Sequence, residues 1–474
     1  MVYQKRKVFE VTKADLVIKN GILVSNQSRN KATIAVKDGK IIALLSGEQN
    51  VESKQVIDAQ GKYILPGIWH THCHFREPGV TQKEDFESGT RCAAAGGITF
   101  IIDQTNNEPA PTTLKTFLSK KELVEKKSLV DFGLYGGGLI PEEISKIAEA
   151  GAIGIKVFNT RHVKEIYPYI SSLAVTDHGL LYEIYEETAK TGLVCSVHHD
   201  DSDWTKRLVF RDYINKGKID IYAYIDAYEK GYMYGHGMVS GLASSLYLAK
   251  ISGVRLYVLH VGVMPEEAYD LIDFAKKRGQ KVYAELEVCS FLISKEMAKR
   301  IGPQCYLFAK NPERAWASIH SGLSDVLVLE HAPHTRKEIE LGWKDNFSAP
   351  LGVIGIQEFL PLMLNEVNKG TLSLEKLVEL TSENPAKIFG IYPKKGTIQV
   401  GSDADFTIVD LNQEIILLSE KSFSKSGWTA FDNVKVKGVP THTIVRGQVV
   451  FENGEIKGHP GMGKFLPGQA YKES

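Results

Sequence analysis

Two histidines with one residue between them, His72 and His74, end a strand-like run of mostly apolar residues. Alternate side chains of an extended chain point to the same side, so both imidazoles can hold one metal ion. A single His-x-His pair is weak support for a metal site. The prediction therefore depends on whether other runs contribute ligands of the same kind.

Four further apolar runs contain or end in residues of a type found at metal centres. They supply Lys156, His198, His260 and Glu330. Imidazole and carboxylate ligands suit zinc or another first-row divalent ion. A lysine in a strand is more often one that reaches solvent from a sheet edge. Beside a metal it fits only if it is neutral or modified, because an ammonium group would repel the ion.

The elements that carry these residues alternate between helix and strand. Residues 265–279 have apolar positions at helical spacing, acids in the first turn, bases in the last and a glycine at the end, and strand-like residues 281–288 follow. The same order recurs in residues 180–197, 245–259 and 315–329. Such units predict a parallel sheet, and over roughly 320 residues they favour a (β/α)8 barrel of the TIM type. The ends of barrel strands meet at one mouth, which would bring the ligands together. The nucleotide-binding motifs GxGxxG and GxxxxGK[ST] do not open a helix in this sequence.

The two ends of the chain share a different pattern of short alternating strands and turns. It covers residues 14–60, with Asp38-Gly39 as a hairpin turn, and returns in residues 396–453. We therefore expect one small β-sandwich built from both termini. The expected division is residues 1–62 and 393–455 for the sandwich, 63–392 for the barrel and 456–474 for an irregular tail.

Composition excludes several other classes of protein. The 474 residues include 57 Lys and Arg against 57 Asp and Glu, and 43% are hydrophobic. A net charge of zero argues against nucleic acid or an anionic membrane as partner, since binding to either would require a positively charged protein surface. The N-terminus lacks the apolar region of a secretion signal, and no apolar run approaches the about 18 residues of a membrane span. The odd number of spread cysteines, five, is typical of a reduced cytoplasmic protein.

In these motifs the sequence resembles the cyclic amidohydrolases: dihydroorotase, dihydropyrimidinase (hydantoinase) and allantoinase. The resemblance covers nearly the whole chain, from Pro66-Gly67 through residues 384–390 to residues 395–405. It implies that His72 and His74 bind the more buried of two divalent metal ions, with zinc expected. It also implies that a carboxylated Lys156 bridges the two ions. The remaining implied ligands are His198 and His260 for the second metal, and Glu330 at the position of an aspartate that binds metal and transfers the proton.

Within this group, residues 74–79, 83–90 and 94–99 look most like dihydroorotase. The resemblance then implies that Arg76, Asn106 and His334 hold a substrate carboxylate. A planar guanidinium suits that group. Hydantoinases usually carry a tyrosine shortly after the lysine, where this chain has Arg161.

Several positions depart from the family pattern. His70 replaces the usual Asp, and Glu330 is one methylene longer than the usual Asp. Val288-Cys289-Ser290 stands where Pro-His-His or Pro-His-Tyr is expected, and Gly262 replaces a common Ser or Thr. These departures indicate a retuned substrate or a lost activity.

The expected function is metal-dependent hydrolysis of a C–N bond in a cyclic amide or ureide, with Glu330 as the catalytic proton acceptor. The expected substrate is a small ring that bears a carboxylate. Two alternatives stay open. One is an allantoinase or hydantoinase that acts on a neutral ring, and the other is a non-catalytic relative that serves as an assembly subunit. The family also implies a homodimer or homotetramer.

Overall fold

A computed structural model of the chain describes residues 13–46, 51–160, 173–304 and 307–472. Arg161, the first seven residues and Cys305, which entered the sequence predictions, lie outside these residues. The described strands, in chain order, are β1 (Ala14–Val24), β2 (Arg29–Lys37), β3 (Lys40–Leu45), β4 (Ser53–Asp58), β5 (Tyr63–Pro66), β6 (Ile68–Cys73), β7 (Ile98–Asp103), β8 (Asp131–Gly137), β9 (Gly154–Asn159), β10 (Val194–His199), β11 (Arg255–Val258), β12 (Val282–Glu287), β13 (Val326–Val328), β14 (Phe406–Ile416), β15 (Lys435–Val445), β16 (Gln448–Glu452) and β17 (Glu455–Ile456).

The described α-helices follow the barrel strands for the most part. They are α1 (Phe86–Ala95), α2 (Leu114–Glu125), α3 (Pro141–Glu149), α4 (His178–Thr191), α5 (Ser202–Asp212), α6 (Ile221–Glu229), α7 (His236–Ser252), α8 (Glu266–Lys277), α9 (Cys289–Leu292), α10 (Lys295–Ile301), α11 (Pro312–Ser321), α12 (Arg336–Glu340), α13 (Phe359–Lys369), α14 (Leu374–Val378) and α15 (Asn384–Ile388).

The strands β6 to β13 form a parallel sheet in which each strand pairs with its neighbour in sequence. Beyond the last pair, a parallel bridge between Cys73 and His331 joins the first strand to the segment after β13 and closes the sheet. The His74 amide also donates to the His331 carbonyl at 2.8 Å. The predicted TIM-type barrel is confirmed.

The helix boundaries follow from local chemistry. Asp177 caps the start of α4, and Gly192 ends it with φ of 73°, a backbone conformation that glycine adopts without strain. Two acids begin α8 and two lysines end it, which complements the helix dipole. The helix predicted over residues 265–279 is therefore found at α8.

Both chain ends contribute to a second sheet of nine strands, as predicted. Its order is β17-β16-β15-β14-β5-β1-β2-β3, and β4 pairs with β1 in parallel while most other pairs are antiparallel. A buried cluster that includes Ile18, Ile34 and Phe406 forms its core. The segment after β17 returns to the barrel, where the Leu466 amide donates to the Phe132 carbonyl at 2.8 Å.

Aromatic and aliphatic side chains from the barrel strands form a separate buried cluster. Trp69 and Phe100 have ring centroids 4.0 Å apart, and Tyr257 packs on Phe389 at 5.5 Å. The polar residues of the candidate site lie at or beyond the carboxyl ends of the same strands. Packed strands thus provide a rigid base for that site.

Candidate metal centre and active site

The carboxyl ends of six barrel strands bring together side chains that can ligate or support a metal. His72 and His74 belong to β6 and the residue after it, Lys156 to β9 and His198 to β10. The other members follow or end later strands: His260 after β11, Glu285 and Glu287 on β12, and Glu330 after β13.

The first cluster consists of His72, His74 and Glu330, each of which offers a ligand atom within one small volume. Glu330 Oε1 lies 3.2 Å from His74 Nε2 and 3.8 Å from His72 Nε2. Burial lowers the pKa of His72 to about 3 and that of His74 to about 4, so both imidazoles are neutral at pH 7. Neutral imidazole is the form that binds metal.

Glu330 remains an anion in this setting. Burial works against its ionised form, but the contact with His74 and the nearby His72 and His260 together outweigh burial and hold the pKa of Glu330 well below its ordinary value. The group is therefore a carboxylate at neutral pH. In that form it can bind a cation or accept a proton.

A second cluster lies beside the first and shares one residue with it. His72, His260 and Glu287 also offer ligand atoms within one small volume. The ring centroid of His260 lies 4.9 Å from that of His72 and 4.7 Å from that of His198. His198 is half-buried, whereas the other two histidines are buried.

Lys156 lies in the buried strand β9 and is 2% exposed. Its Nζ atom has no hydrogen-bond partner among the described residues and lies 4.4 Å from the centroid of the Phe158 ring. Burial lowers the pKa of Lys156 to about 7. A substantial fraction of the amine is therefore neutral at physiological pH. A lysine beside metal ions must be neutral or modified, and Lys156 meets that requirement.

Each of three histidines directs its Nδ1 atom to a protein acceptor. His72 Nδ1 lies 2.7 Å from Glu285 Oε1, and His74 Nδ1 lies 2.6 Å from Asn106 Oδ1. His260 Nδ1 lies 2.5 Å from Glu287 Oε1. Such contacts fix the tautomer that leaves Nε2 available as a ligand.

Glu285 and Glu287 had no role predicted from the sequence. The sequence pattern could have indicated such a role, because residues 281–288 place two acids at alternate positions of a mostly apolar strand. Alternate positions share a face, so two buried carboxylates on one strand already indicate buried partners.

Of the three residues expected to bind a substrate carboxylate, two are in contact. Arg76 Nη2 lies 3.2 Å from His334 Nε2, and Arg76 Nε donates to the Pro333 carbonyl at 3.1 Å. His334 Nδ1 lies 3.0 Å from Lys83 Nζ. Asn106 instead accepts from His74, which joins it to the histidine cluster.

Comparison with known proteins agrees with this arrangement. The sequence profile of the Amidohydrolase family matches residues 63–450. The chain belongs to the amidohydrolase family. It is 38% identical over 472 residues to an L-hydantoinase from Paenarthrobacter aurescens, a match that covers 97% of this chain and 99% of that protein. A dihydroorotase from Methanosarcina acetivorans is 33% identical, with 96% of each chain covered.

Among solved structures, the L-hydantoinase (dihydropyrimidinase) from Arthrobacter aurescens is similar, with a TM-score of 0.89 at 36% identity. The match covers 96% of this chain and all of that one. The predicted membership among the cyclic amidohydrolases, hydrolases of cyclic amides, is confirmed.

Two departures from the family pattern compensate each other in this amidohydrolase. A Cβ atom on Gly262 would lie 2.1 Å from Ser290 Oγ, a distance that no real contact has. Ser290 Oγ in turn donates to the Glu287 carbonyl at 2.5 Å. The replacement of a side chain at position 262 by glycine therefore makes room for Ser290.

His70, the third departure, is a member of neither ligand cluster described above. Its Nε2 lies 2.8 Å from the Leu329 carbonyl and its Nδ1 lies 3.2 Å from Cys73 Sγ. Burial lowers the pKa of His70 to about 3. The neutral imidazole thus links β6 to the segment after β13, where the barrel closes.

The residues present fit a divalent metal centre. Lys156 Nζ and Glu287 Oε2 are buried atoms without a hydrogen-bond partner in the described part of the chain, and burial of such atoms costs free energy unless a ligand satisfies them. Imidazole and carboxylate groups are the donors that zinc and similar ions prefer.

Two further predictions can be compared with the described residues. Four cysteines, Cys73, Cys92, Cys195 and Cys289, are buried free thiols. The described helices include none with the length and apolar character needed to cross a membrane.

Proposed function

We propose that this amidohydrolase opens a cyclic amide or ureide by hydrolysis of a ring C–N bond at a centre of two divalent metal ions, with zinc as the expected metal. The observation that carries the proposal is the convergence of His72, His74, His260 and Glu330 beside the buried Lys156. These side chains lie on, or directly after, four different barrel strands, β6, β9, β11 and β13, and meet at the barrel mouth.

His72, His74 and Glu330 would hold the more buried ion, and His198 and His260 the second ion. A carboxylated Lys156 would bridge them. Its neutral amine is the form that reacts with carbon dioxide, and burial makes that form accessible near pH 7. Carboxylation would also replace a cation by an anion, which suits a site that binds two cations.

Ions held by these residues would supply polarisation of the scissile carbonyl and a lower pKa of the attacking water. The proton transfers fall to Glu330, whose carboxylate is ionised at neutral pH. Its oxygen accepts the proton of the water as the C–O bond forms. The same proton is returned to the ring nitrogen as the C–N bond breaks, which yields a ring-opened carboxylic acid.

Glu330 reaches its position in spite of its extra methylene. Its carboxylate contacts His74 from a residue two positions beyond β13 and one position before the bridge that closes the barrel. A catalytic group displaced by about 1 Å can lose a hundredfold in rate, so this placement matters for activity.

Two classes of ring remain candidates, and each has an observation in its favour. A ring that bears a carboxylate is favoured by the buried guanidinium of Arg76, 7% exposed and in contact with His334. A neutral ring of the hydantoin type is favoured by similarity to an L-hydantoinase. It is also favoured because Asn106 Oδ1 and His334 Nδ1, two atoms expected near a substrate carboxylate, already contact His74 and Lys83. A homodimer or homotetramer is proposed for either case.

A substrate panel with matched variants tests this function. Purified enzyme is assayed on hydantoin, dihydrouracil, dihydroorotate and allantoin, each beside Glu330→Gln. We expect turnover of at least one ring, and a loss of about 100-fold or more in kcat for the variant, because general acid–base catalysis contributes that much. Full turnover by Glu330→Gln would refute the assigned role, and an inactive wild type with no bound metal would favour the non-catalytic alternative.

A further inference from the structure

The strand β12 carries two carboxylates, Glu285 and Glu287, at alternate positions. The residues are 0% and 1% exposed, so both side chains are buried in the barrel. Each carboxylate faces the Nδ1 atom of a different histidine, His72 for Glu285 and His260 for Glu287. The strand β12 therefore contacts His72, which belongs to both ligand clusters, and His260, which belongs to the second.

The two carboxylates differ in their other partners. Thr71 Oγ1 and Tyr257 OH donate to Glu285 Oε2 at 3.1 and 2.9 Å. Glu287 has only His260 as a side-chain hydrogen-bond partner among the described residues, and its Oε2 atom is buried without one. A polar group in that state costs free energy of folding, so the fold alone gives no reason for an acid at this position.

The backbone of His260 has an unusual conformation. His260 has φ of 61°, the left-handed region that a histidine rarely adopts, at the point where β11 ends. Its ring is tilted against the ring of His72 and lies edge-on to the ring of His198. The 2.5 Å contact with Glu287 restricts rotation about the side-chain bonds and selects the Nδ1–H tautomer.

We infer that Glu287 is a positioning residue, which holds the His260 ring so that Nε2 points into the metal centre, as Glu285 does for His72. The inference rests on the proposed metal-dependent function and adds a specific requirement to it: the second ion depends on an acid two residues beyond Glu285. Partners of this kind commonly raise the metal affinity of a histidine ligand by about 10- to 100-fold.

The test compares Glu287→Ala, Glu287→Gln and His260→Ala in the full-length protein. Zinc content is measured by elemental mass spectrometry, and the affinity for Zn²⁺ by competition with a chelator. The Co²⁺-loaded proteins give visible spectra that report the ligand set. Glu358→Gln serves as the matched control, because it removes a carboxylate that is also buried but lies at the start of α13.

We expect Glu287→Ala to bind one of its two ions about 10- to 100-fold more weakly. Glu287→Gln should recover most of that affinity, because its amide oxygen still accepts from Nδ1. Both variants should keep the wild-type Co²⁺ ligand set at saturating metal. Glu358→Gln should match the wild type in metal content and spectrum.

Three results would overturn the inference. Unchanged affinity in Glu287→Ala would mean that the contact does not act on the metal. Loss of one full equivalent in both Glu287 variants, with the altered spectrum of His260→Ala, would make Glu287 a ligand instead. Wild-type protein that binds no metal would instead remove the proposed function, and this inference with it. Thermal melts of the metal-free proteins show whether each variant folds, and Glu287→Gln supplies the comparison if Glu287→Ala does not.

Discussion

Replacement of Lys120 by methionine should destabilise the protein far more than the loss of a typical ion pair. Lys120 lies on α2 with its ammonium fully buried, where Nζ donates to Asp103 Oδ2 at 2.6 Å, to the Gln104 carbonyl at 2.7 Å and to Asn107 Oδ1 at 2.6 Å. Methionine has a similar length but leaves all three acceptors without their donor. The Asp103 carboxylate, 0% exposed, would then be a buried charge without its cation.

Removal of one partner of a buried pair costs about 3–5 kcal/mol, since the remaining charge loses its compensation. The residue that follows the same helix provides a matched control. Lys126 is paired with Glu122 at a nearly equal distance of 2.7 Å, but the two side chains are 70% and 71% exposed. An exposed pair contributes less than about 1 kcal/mol, so Lys126→Met should be close to neutral.

The assay is chemical denaturation at pH 7 followed by circular dichroism. A second change, Asp103→Asn in the Lys120→Met background, should recover part of the loss because it removes the uncompensated charge. Asp103 Oδ1 also accepts from the Phe75 amide at 2.8 Å, next to His74, so Lys120→Met should weaken metal binding as well. Equal midpoints for Lys120→Met and Lys126→Met would refute the reasoning.

Three other variants give separate expectations. Burial raises the pKa of Glu358 to about 7, so the native state retains a proton that the unfolded chain releases near pH 4.5. As the pH rises from 4.5 to 7, the contribution of Glu358 to the free energy of unfolding should therefore fall by about 3 kcal/mol, and it should stay constant above pH 7. Glu358→Gln should remove that slope in denaturation curves from pH 4 to 8, and an unchanged slope would contradict the assignment. Gly262→Ala should lower the free energy of unfolding by about 1–3 kcal/mol through its clash with Ser290, and Ser290→Gly in the same protein should recover much of that loss. Additive losses of stability from the two changes would argue against the clash. Arg76→Ala should lower kcat/KM about 10- to 100-fold on a ring with a carboxylate and little on a neutral ring, and equal losses on both would exclude a carboxylate contact.

The barrel was predictable because its signals are local. The helical period, the acids and bases at the ends of α8, and the glycine that ends α4 all depend on residues close in sequence. The candidate ligands were predictable for a related reason. Each is a polar residue at the end of an apolar run, and barrel topology alone brings such ends together.

The support around those ligands depends on contacts between distant segments. Glu285 is 213 residues from His72, and no local pattern states which histidine it meets. His70 illustrates the same limit. From sequence it is a departure from the family pattern near the metal ligands, whereas its Nε2 atom in fact contacts the Leu329 carbonyl, 259 residues away, where the barrel closes.

The central claim is a centre of two metal ions formed by His72, His74, Lys156, His198, His260 and Glu330. Elemental mass spectrometry of protein purified without added metal tests it most directly. We predict close to two equivalents of zinc, or of another divalent ion, per chain, and about one equivalent after His260→Ala. A wild-type protein that holds no divalent metal, and takes up none when Zn²⁺ is supplied, would contradict the account.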